Sequence, residues 1–245
     1  MSPLSFGFAL DDVLVVTGAG SGIGRATTLE AARQGLRVVA WDLVGPAAAE
    51  TAALAEPGRV RAEAGDVADA PAVRAVLEDV ASTWAAPRYL ANNAGPSSAG
   101  DLAFEAGIVA ALGSVHTMTE AWAALAGADG AAMVVTASVA GTKVGTESAW
   151  YSTAKAGLAG YVRHLAAHRA DRFRSNAVAP GMVDTPRLEG WAASAAGQRT
   201  LARNPLRRLA TPADIAHALL FLLSPAAAYV NGEVLTVDGG WTVTQ

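Results

Sequence analysis

The run Val13-Leu14-Val15-Val16-Thr17 leads directly into Gly18-Ala19-Gly20-Ser21-Gly22-Ile23-Gly24, and a segment of helical composition covers 23–34. A β-branched apolar run, a glycine turn and a helix, in that order, commit a chain to a βαβ start and so to a parallel sheet. Glycines let the backbone turn tightly and approach a ligand closely, while the unpaired N–H groups and dipole of a helix start favour negative charge. The pyrophosphate of a dinucleotide fits that description. The spacing is T-G-x-x-x-G-x-G, because Ile23 stands where G-x-G-x-x-G needs its third glycine, and no Gly-Lys-Ser/Thr follows, which excludes a P-loop.

The same alternation runs down the chain. Short strand-like runs lie at 37–41, 59–63 and 131–138, and helical segments at 71–84, 108–125, 148–170 and 212–223. Thr211-Pro212 with Asp214 has the form of an N-cap followed by proline in the first turn. Val15, Val16, Val38 and Val39 sit in runs that are apolar on both faces, as strands covered by helices on both sides require. The expectation is one doubly wound α/β domain over 1–245. Pro186, Gly190, Trp191 and Gly197 interrupt any clean helix in 182–205, which reads as a flap over a substrate site.

Composition narrows the chemistry. The 245 residues include no cysteine, so a disulfide framework, a thiolate zinc site and a cysteine nucleophile are excluded. A net charge of −4 and the absence of a basic run argue against a nucleic-acid partner. His116, His164, His168 and His217 lack carboxylate company, so no metal site is expected. The start of the chain has no positive region and meets Asp11 and Asp12 early, and the apolar stretch from Ile215 carries His217 and is broken by Pro225. A cytoplasmic protein without a membrane span is the expectation.

Asp42 closes the second strand-like run, 20 residues beyond Gly22, where a carboxylate can hydrogen-bond the adenosine ribose hydroxyls. It would repel a 2′-phosphate, and Ser21 and Leu43 supply no cation nearby, so the reading is NAD rather than NADP. Lysine is scarce, and Lys155 follows Tyr151 by four residues in a helical segment, which puts both on one face. An ammonium beside a phenol stabilises the phenolate and lowers its pKa from about 10, fitting it for proton exchange with an alcohol or carbonyl. Ser138, at the end of a strand-like run, is placed to bond the same oxygen.

Together these motifs resemble the short-chain dehydrogenase/reductase family, in its single-domain branch of about 250 residues with a Rossmann-type fold. TGAGSGIG at 17–24, with Gly18, Ser21, Gly22, Ile23 and Gly24, is similar to the family's cofactor loop, and Asp42-Leu43 and Asp66-Val67 to its adenosine contacts. Asn92-Asn93-Ala94-Gly95 resembles the NNAG motif, Pro180-Gly181-Met182-Val183-Asp184-Thr185 the segment holding nicotinamide, and Val237-Asp238-Gly239-Gly240 the C-terminal signature. The resemblance implies hydride transfer, with Ser138 orienting a carbonyl, Tyr151 protonating it, and Lys155 binding the nicotinamide ribose. It also implies a homotetramer or dimer built on the helices around 108–125 and 148–170.

One departure stands out. Many members carry a further catalytic Asn after NNAG, where this chain has Ala111, and the interval from Gly95 is short. Two readings stay open: an NAD-dependent oxidoreductase acting on a secondary alcohol or ketone, and a dinucleotide-binding member with weak or no catalysis. Enoyl reductases of the family place Lys seven residues after Tyr, where Leu158 stands, and halohydrin dehalogenases place Arg where Lys155 stands, so neither branch fits. Pro96, Val139, Trp150, Met182, Leu188 and Trp191 read as walls of a hydrophobic substrate pocket.

Overall fold

A computed structural model describes residues 5–126, 130–188 and 190–244. Among them, seven parallel strands form one sheet in the order β3-β2-β1-β4-β5-β6-β7. The strands are β1 Val13–Thr17, β2 Arg37–Asp42, β3 Val60–Ala64, β4 Tyr89–Asn92, β5 Ala132–Thr136, β6 Arg174–Pro180 and β7 Val234–Val237. The helices are α1 Gly22–Arg33, α2 Gly45–Ala53, α3 Ala70–Thr83, α4 Phe104–Ile108, α5 Ser114–Leu125, α6 Val139–Thr142, α7 Ala149–His168, α8 Ala195–Arg203 and α9 Pro212–Leu223. This is the doubly wound α/β architecture read from the alternation. No described helix is long and apolar enough to cross a membrane.

The two-residue period of the strands divides the core into two layers. Val13 and Val15 of β1, Leu90 of β4, and Met133 and Val135 of β5 face the layer closed by α3, α5 and α7. Leu14 and Val16, with Tyr89, Ala91, Ala132 and Val134, face the layer that includes Ile215, Leu219 and Leu220 of α9. The apolar stretch from Ile215 is thus core, and its helix begins with a reciprocal capping box between Thr211 and Asp214.

The order places β1 and β4 side by side, with the chain winding away from them in opposite directions. A crevice therefore opens beyond their carboxyl ends, where ligands of such sheets bind. The helix expected over 108–125 starts earlier and is not uniform: α4 runs into a π-helical turn, Val109–Gly113, before α5. The segment expected as a flap holds two 3-10 turns, Pro186–Leu188 and Trp191–Ala193, then α8, while Glu189 within it lies outside the described residues. It is anchored at one end by the pairing of Val183 with Ala210 and at the other by buried Asn204, whose Nδ2 donates to Asp238 O at 3.1 Å.

Candidate active site

The glycine loop is built by close approach. Gly18 and Gly22 take positive φ, +66° and +51°. A Cβ on Gly24 would lie 2.0 Å from Gly18 O, so no other residue fits there without moving the loop. A Cβ on Gly18 would meet Ala94 Cα at 3.0 Å, and one on Gly22 would meet Thr185 Cγ2 at 3.1 Å. The loop after β1, the NNAG turn after β4 and the 180–185 segment after β6 therefore converge on one crevice. Ser21, the residue before α1, has no side-chain hydrogen bond to the helix, which leaves the first-turn N–H groups uncapped.

Two residues that the motif reading did not single out hold this loop from beneath. Thr51 Oγ1 donates to Ala19 O at 2.9 Å, and Arg25 donates to Gly20 O at 2.5 Å and, through Nε, to Thr51 Oγ1 at 3.0 Å. Arg25 also pairs with Glu50 at 3.3 Å. The cation nearest the loop in sequence is thus engaged with backbone, hydroxyl and carboxylate. Asp42 sits at the end of β2 as expected. Its Oδ2 accepts from Gly20 N at 2.8 Å and its Oδ1 from Val44 N at 2.9 Å, while Leu43 is exposed. Asp66 is exposed and its Oδ1 accepts from Ala68 N at 2.9 Å, whereas Val67 packs on the core.

The centre of the crevice is tied by hydroxyls. Thr17, 1% exposed at the end of β1, accepts from Asn93 N and Ala94 N, each at 3.0 Å. Asn93 Nδ2 donates to Gly18 O at 3.3 Å, and its Oδ1 accepts from Thr136 Oγ1 at 3.0 Å. One asparagine side chain thereby links the ends of β1 and β5 across β4. Pro180 ends β6, Gly181 N donates to Val237 O at 3.0 Å, and Val183 is buried. A Cβ on Gly181 would lie 2.8 Å from Asp238 Cβ, which explains why glycine precedes Met182 where this strand end meets the C-terminal signature.

Lys155, 8% exposed, donates through Nζ to Thr136 O at 2.7 Å and lies 5.6 Å from the Tyr151 ring centroid. The i, i+4 spacing brings the ammonium and the phenol together, as read from sequence. Ser138 leaves β5 in extended conformation and caps α6, its Oγ accepting from Ala140 N at 3.1 Å. A Cβ on Gly141 (φ +79°) would lie 2.0 Å from Ser152 O, so the turn after Ser138 is pressed onto the first turns of α7, beside Tyr151.

Two of the expected pocket walls have little exposed surface. Trp150 and Val139 are buried, Trp150 within a cluster that includes Ala111 and Ala154. Ser114 is buried and donates to Ala110 O at 2.7 Å, and His116, His164 and His168 are exposed on their helices.

A parallel sheet with a glycine loop after β1 and a Tyr–Lys pair on the helix after β5 defines a dinucleotide-binding α/β class. A family model described as enoyl-(acyl carrier protein) reductase matches residues 18–242. The chain is 36% identical over 244 residues to cis-4-hydroxycyclohexanecarboxylate dehydrogenase of Sinomonas cyclohexanicum, with 94% of this chain and 96% of that one covered. It is 34% identical over 242 residues to cyclohexanol dehydrogenase of Acinetobacter sp. strain SE19, with 94% of each chain covered. A Brucella melitensis structure described as a short-chain dehydrogenase/reductase, glucose/ribitol dehydrogenase, superposes with a TM-score of 0.90 at 28% identity over 97% of this chain and 99% of that one. The protein belongs to the short-chain dehydrogenase/reductase family.

Proposed function

We propose that this protein is an NAD-dependent oxidoreductase that interconverts a secondary alcohol and its ketone, with Tyr151 as general acid/base. The observation that carries the reading is the buried Lys155 ammonium, held by Thr136 O at 2.7 Å against the Tyr151 ring. A cation fixed there stabilises the phenolate that forms whenever Tyr151 gives up its proton. Ser138 Oγ accepts from Ala140 N, and its own proton would be donated to the substrate oxygen to orient it. The same ammonium would hold a hydroxyl of the nicotinamide ribose when the cofactor is bound.

The residues present fit a nicotinamide dinucleotide, because the glycines at 18, 22 and 24 keep bare backbone at the end of β1 and Ser21 leaves the first-turn N–H groups of α1 uncapped, the donors that a pyrophosphate takes. Gly18, Ser21, Gly22, Ile23 and Gly24 would hold its pyrophosphate, Asp42 and Leu43 its adenosine ribose, and Asp66 and Val67 its adenine. Asn93, Ala94 and Gly95 would line its middle, with Tyr151, Lys155, Pro180, Gly181, Val183 and Thr185 around nicotinamide and its ribose. When bound, the nicotinamide supplies the acceptor or donor of hydride. NAD is favoured over NADP because Asp42 presents a carboxylate where a 2′-phosphate would lie, and Arg25 is spent on Gly20 O, Thr51 and Glu50.

The substrate is a small alcohol or carbonyl compound with an apolar body, in keeping with the names of the two bacterial relatives. Segment 182–205, anchored at Val183 and Asn204, closes over it as a flap of the single domain. We infer a cytoplasmic homotetramer or dimer, with exposed Phe104 and Val109 and the outer face of α7 covered by a second copy; light scattering that gives a monomer would refute this. A panel of cyclic and acyclic secondary alcohols with NAD, followed at 340 nm beside Tyr151→Phe, tests the main reading. Turnover lost in the variant supports it. Tight NAD binding without turnover on any substrate would favour the second reading, a cofactor binder without catalysis, which Ala111 motivates.

A further inference from the structure

The geometry points to Trp150 as a positioning residue for Tyr151, an indole clamp that rests on the acid/base reading above. Trp150 precedes Tyr151 in the first turn of α7 and is 5% exposed. Its ring meets the Tyr151 ring edge-on, with centroids 5.6 Å apart and planes at 82°. Such aromatic pairs add stability beyond the area they bury, and they restrict both rings.

The facing helix is shaped to receive the indole. A Cβ on Gly107 would lie 2.4 Å from Trp150 Cδ2 and 2.5 Å from Cγ, so the ring rests on bare backbone. Ala111, four residues on and 3% exposed, packs in the same cluster with Ala154 of α7. The π-helical turn Val109–Gly113 runs through this seat, a single-turn widening of the kind found frequently at functional sites. A glycine, an alanine and a widened turn together make a cavity for one indole.

This seat also accounts for Ala111. An amide at that position would be buried against the apolar side chains of Trp150 and Ala154. The phenol is backed by an aromatic wedge wedged in turn against α4. A wedge held by two helices fixes where the Tyr151 oxygen points, and misplacing a catalytic group by about 1 Å can cost on the order of 100-fold in rate.

The test uses the full chain, assayed for kcat and KM at 340 nm and for NAD affinity by calorimetry, with melting curves for each variant. Trp150→Ala should lower kcat at least about tenfold with NAD affinity within about twofold, and Trp150→Phe should recover most of that loss. Gly107→Ala, which puts a methyl against the Cγ and Cδ2 of the indole, should lower kcat in the presence of Trp150 and add little to the loss in a Trp150→Ala background. The proposal is overturned if folded Trp150→Ala keeps wild-type kcat, or if kcat and NAD affinity fall together. Should Trp150→Ala not fold, an unchanged kcat in Gly107→Ala overturns it. Tyr151→Phe separates the two readings: activity that survives in it sinks the acid/base role, whereas activity lost in it but kept in Trp150→Ala sinks only the clamp. A readout without turnover is the ring NMR signal of Tyr151, assigned by its absence in Tyr151→Phe. It should sharpen in Trp150→Ala as the ring gains freedom, and an unchanged line shape contradicts the clamp.

Discussion

Thr17→Val isolates the hydroxyl that ties the first strand to the NNAG turn. Valine keeps the shape and suits a strand at least as well, so β1 itself is not disturbed. What disappears is the acceptor for Asn93 N and Ala94 N, both at 3.0 Å. Each buried donor left without a partner costs about 1–3 kcal/mol, and the turn lies at the rim of the crevice where water offers partial relief. The lower half of that range for two donors gives roughly 2–4 kcal/mol, or a melting point lower by about 4–16 °C in a chain of this size. Thr17→Ser keeps the hydroxyl and should lose less. Urea titration with an unchanged slope would assign the loss to the native state. NAD affinity should fall with stability in Thr17→Val, because Asn93 Nδ2 also holds Gly18 O. A valine variant as stable as wild type, or less perturbed than the serine variant, would refute the reasoning.

Three further outcomes follow from the same geometry. Asp42→Asn removes the charge proposed to hold the adenosine ribose while keeping an acceptor for Gly20 N, so kcat/KM for NAD should fall about 10- to 100-fold and that for NADP should not, as steady-state kinetics with both cofactors will show. Gly24→Ala places a methyl 2.0 Å from Gly18 O, so calorimetry should detect no NAD binding even if the fold survives by shifting the loop. Asp214 is held down to about 2, chiefly by the hydrogen bonds from Arg208, with backbone and side chain of Thr211 adding to it. A depressed carboxylate contributes stability that is present above its unfolded value near 4 and lost as pH falls toward 2. The melting-point difference between wild type and Arg208→Ala should therefore be constant from pH 5 to about 7 and vanish across roughly pH 4 to 2.

The strands legible in the sequence were three apolar runs and the half-buried run at 59–63 that became β3. β1, β2 and β5 are apolar on both faces, and α9 announces its start through Thr211, Pro212 and Asp214. β6 is hidden because Ser175 and Asn176 sit within it fully buried, and their polar groups are satisfied by partners far along the chain, Asn176 by Val230 O and Glu233 N. β4 is four residues long and runs into Asn92, β7 is partly exposed at the sheet edge, and α2 opens with Gly45-Pro46, which reads as a turn.

The candidate site divides the same way. Local spacing places Tyr151 beside Lys155 and Asp42 beside the glycine loop. Thr17, Thr51 and Thr136 escape such a reading because their partners belong to neighbouring strands and helices, and strand order is not a local property. The shape of Val109–Gly113 and the burial of Trp150 also arise from packing between two helices, so a tryptophan next to Tyr151 reads from sequence as a pocket wall.

The central claim, that Tyr151 exchanges the proton in an NAD-linked alcohol oxidation, is tested most directly by one comparison. Wild type and Tyr151→Phe are loaded with NAD to the same measured occupancy and given a secondary alcohol, and absorbance at 340 nm is followed in a single turnover. The account predicts equal NAD binding, a rise in absorbance for wild type, and a rate at least about 100-fold lower for the variant, the scale of a positioned general acid/base. A variant that turns over at the wild-type rate with NAD bound would contradict it.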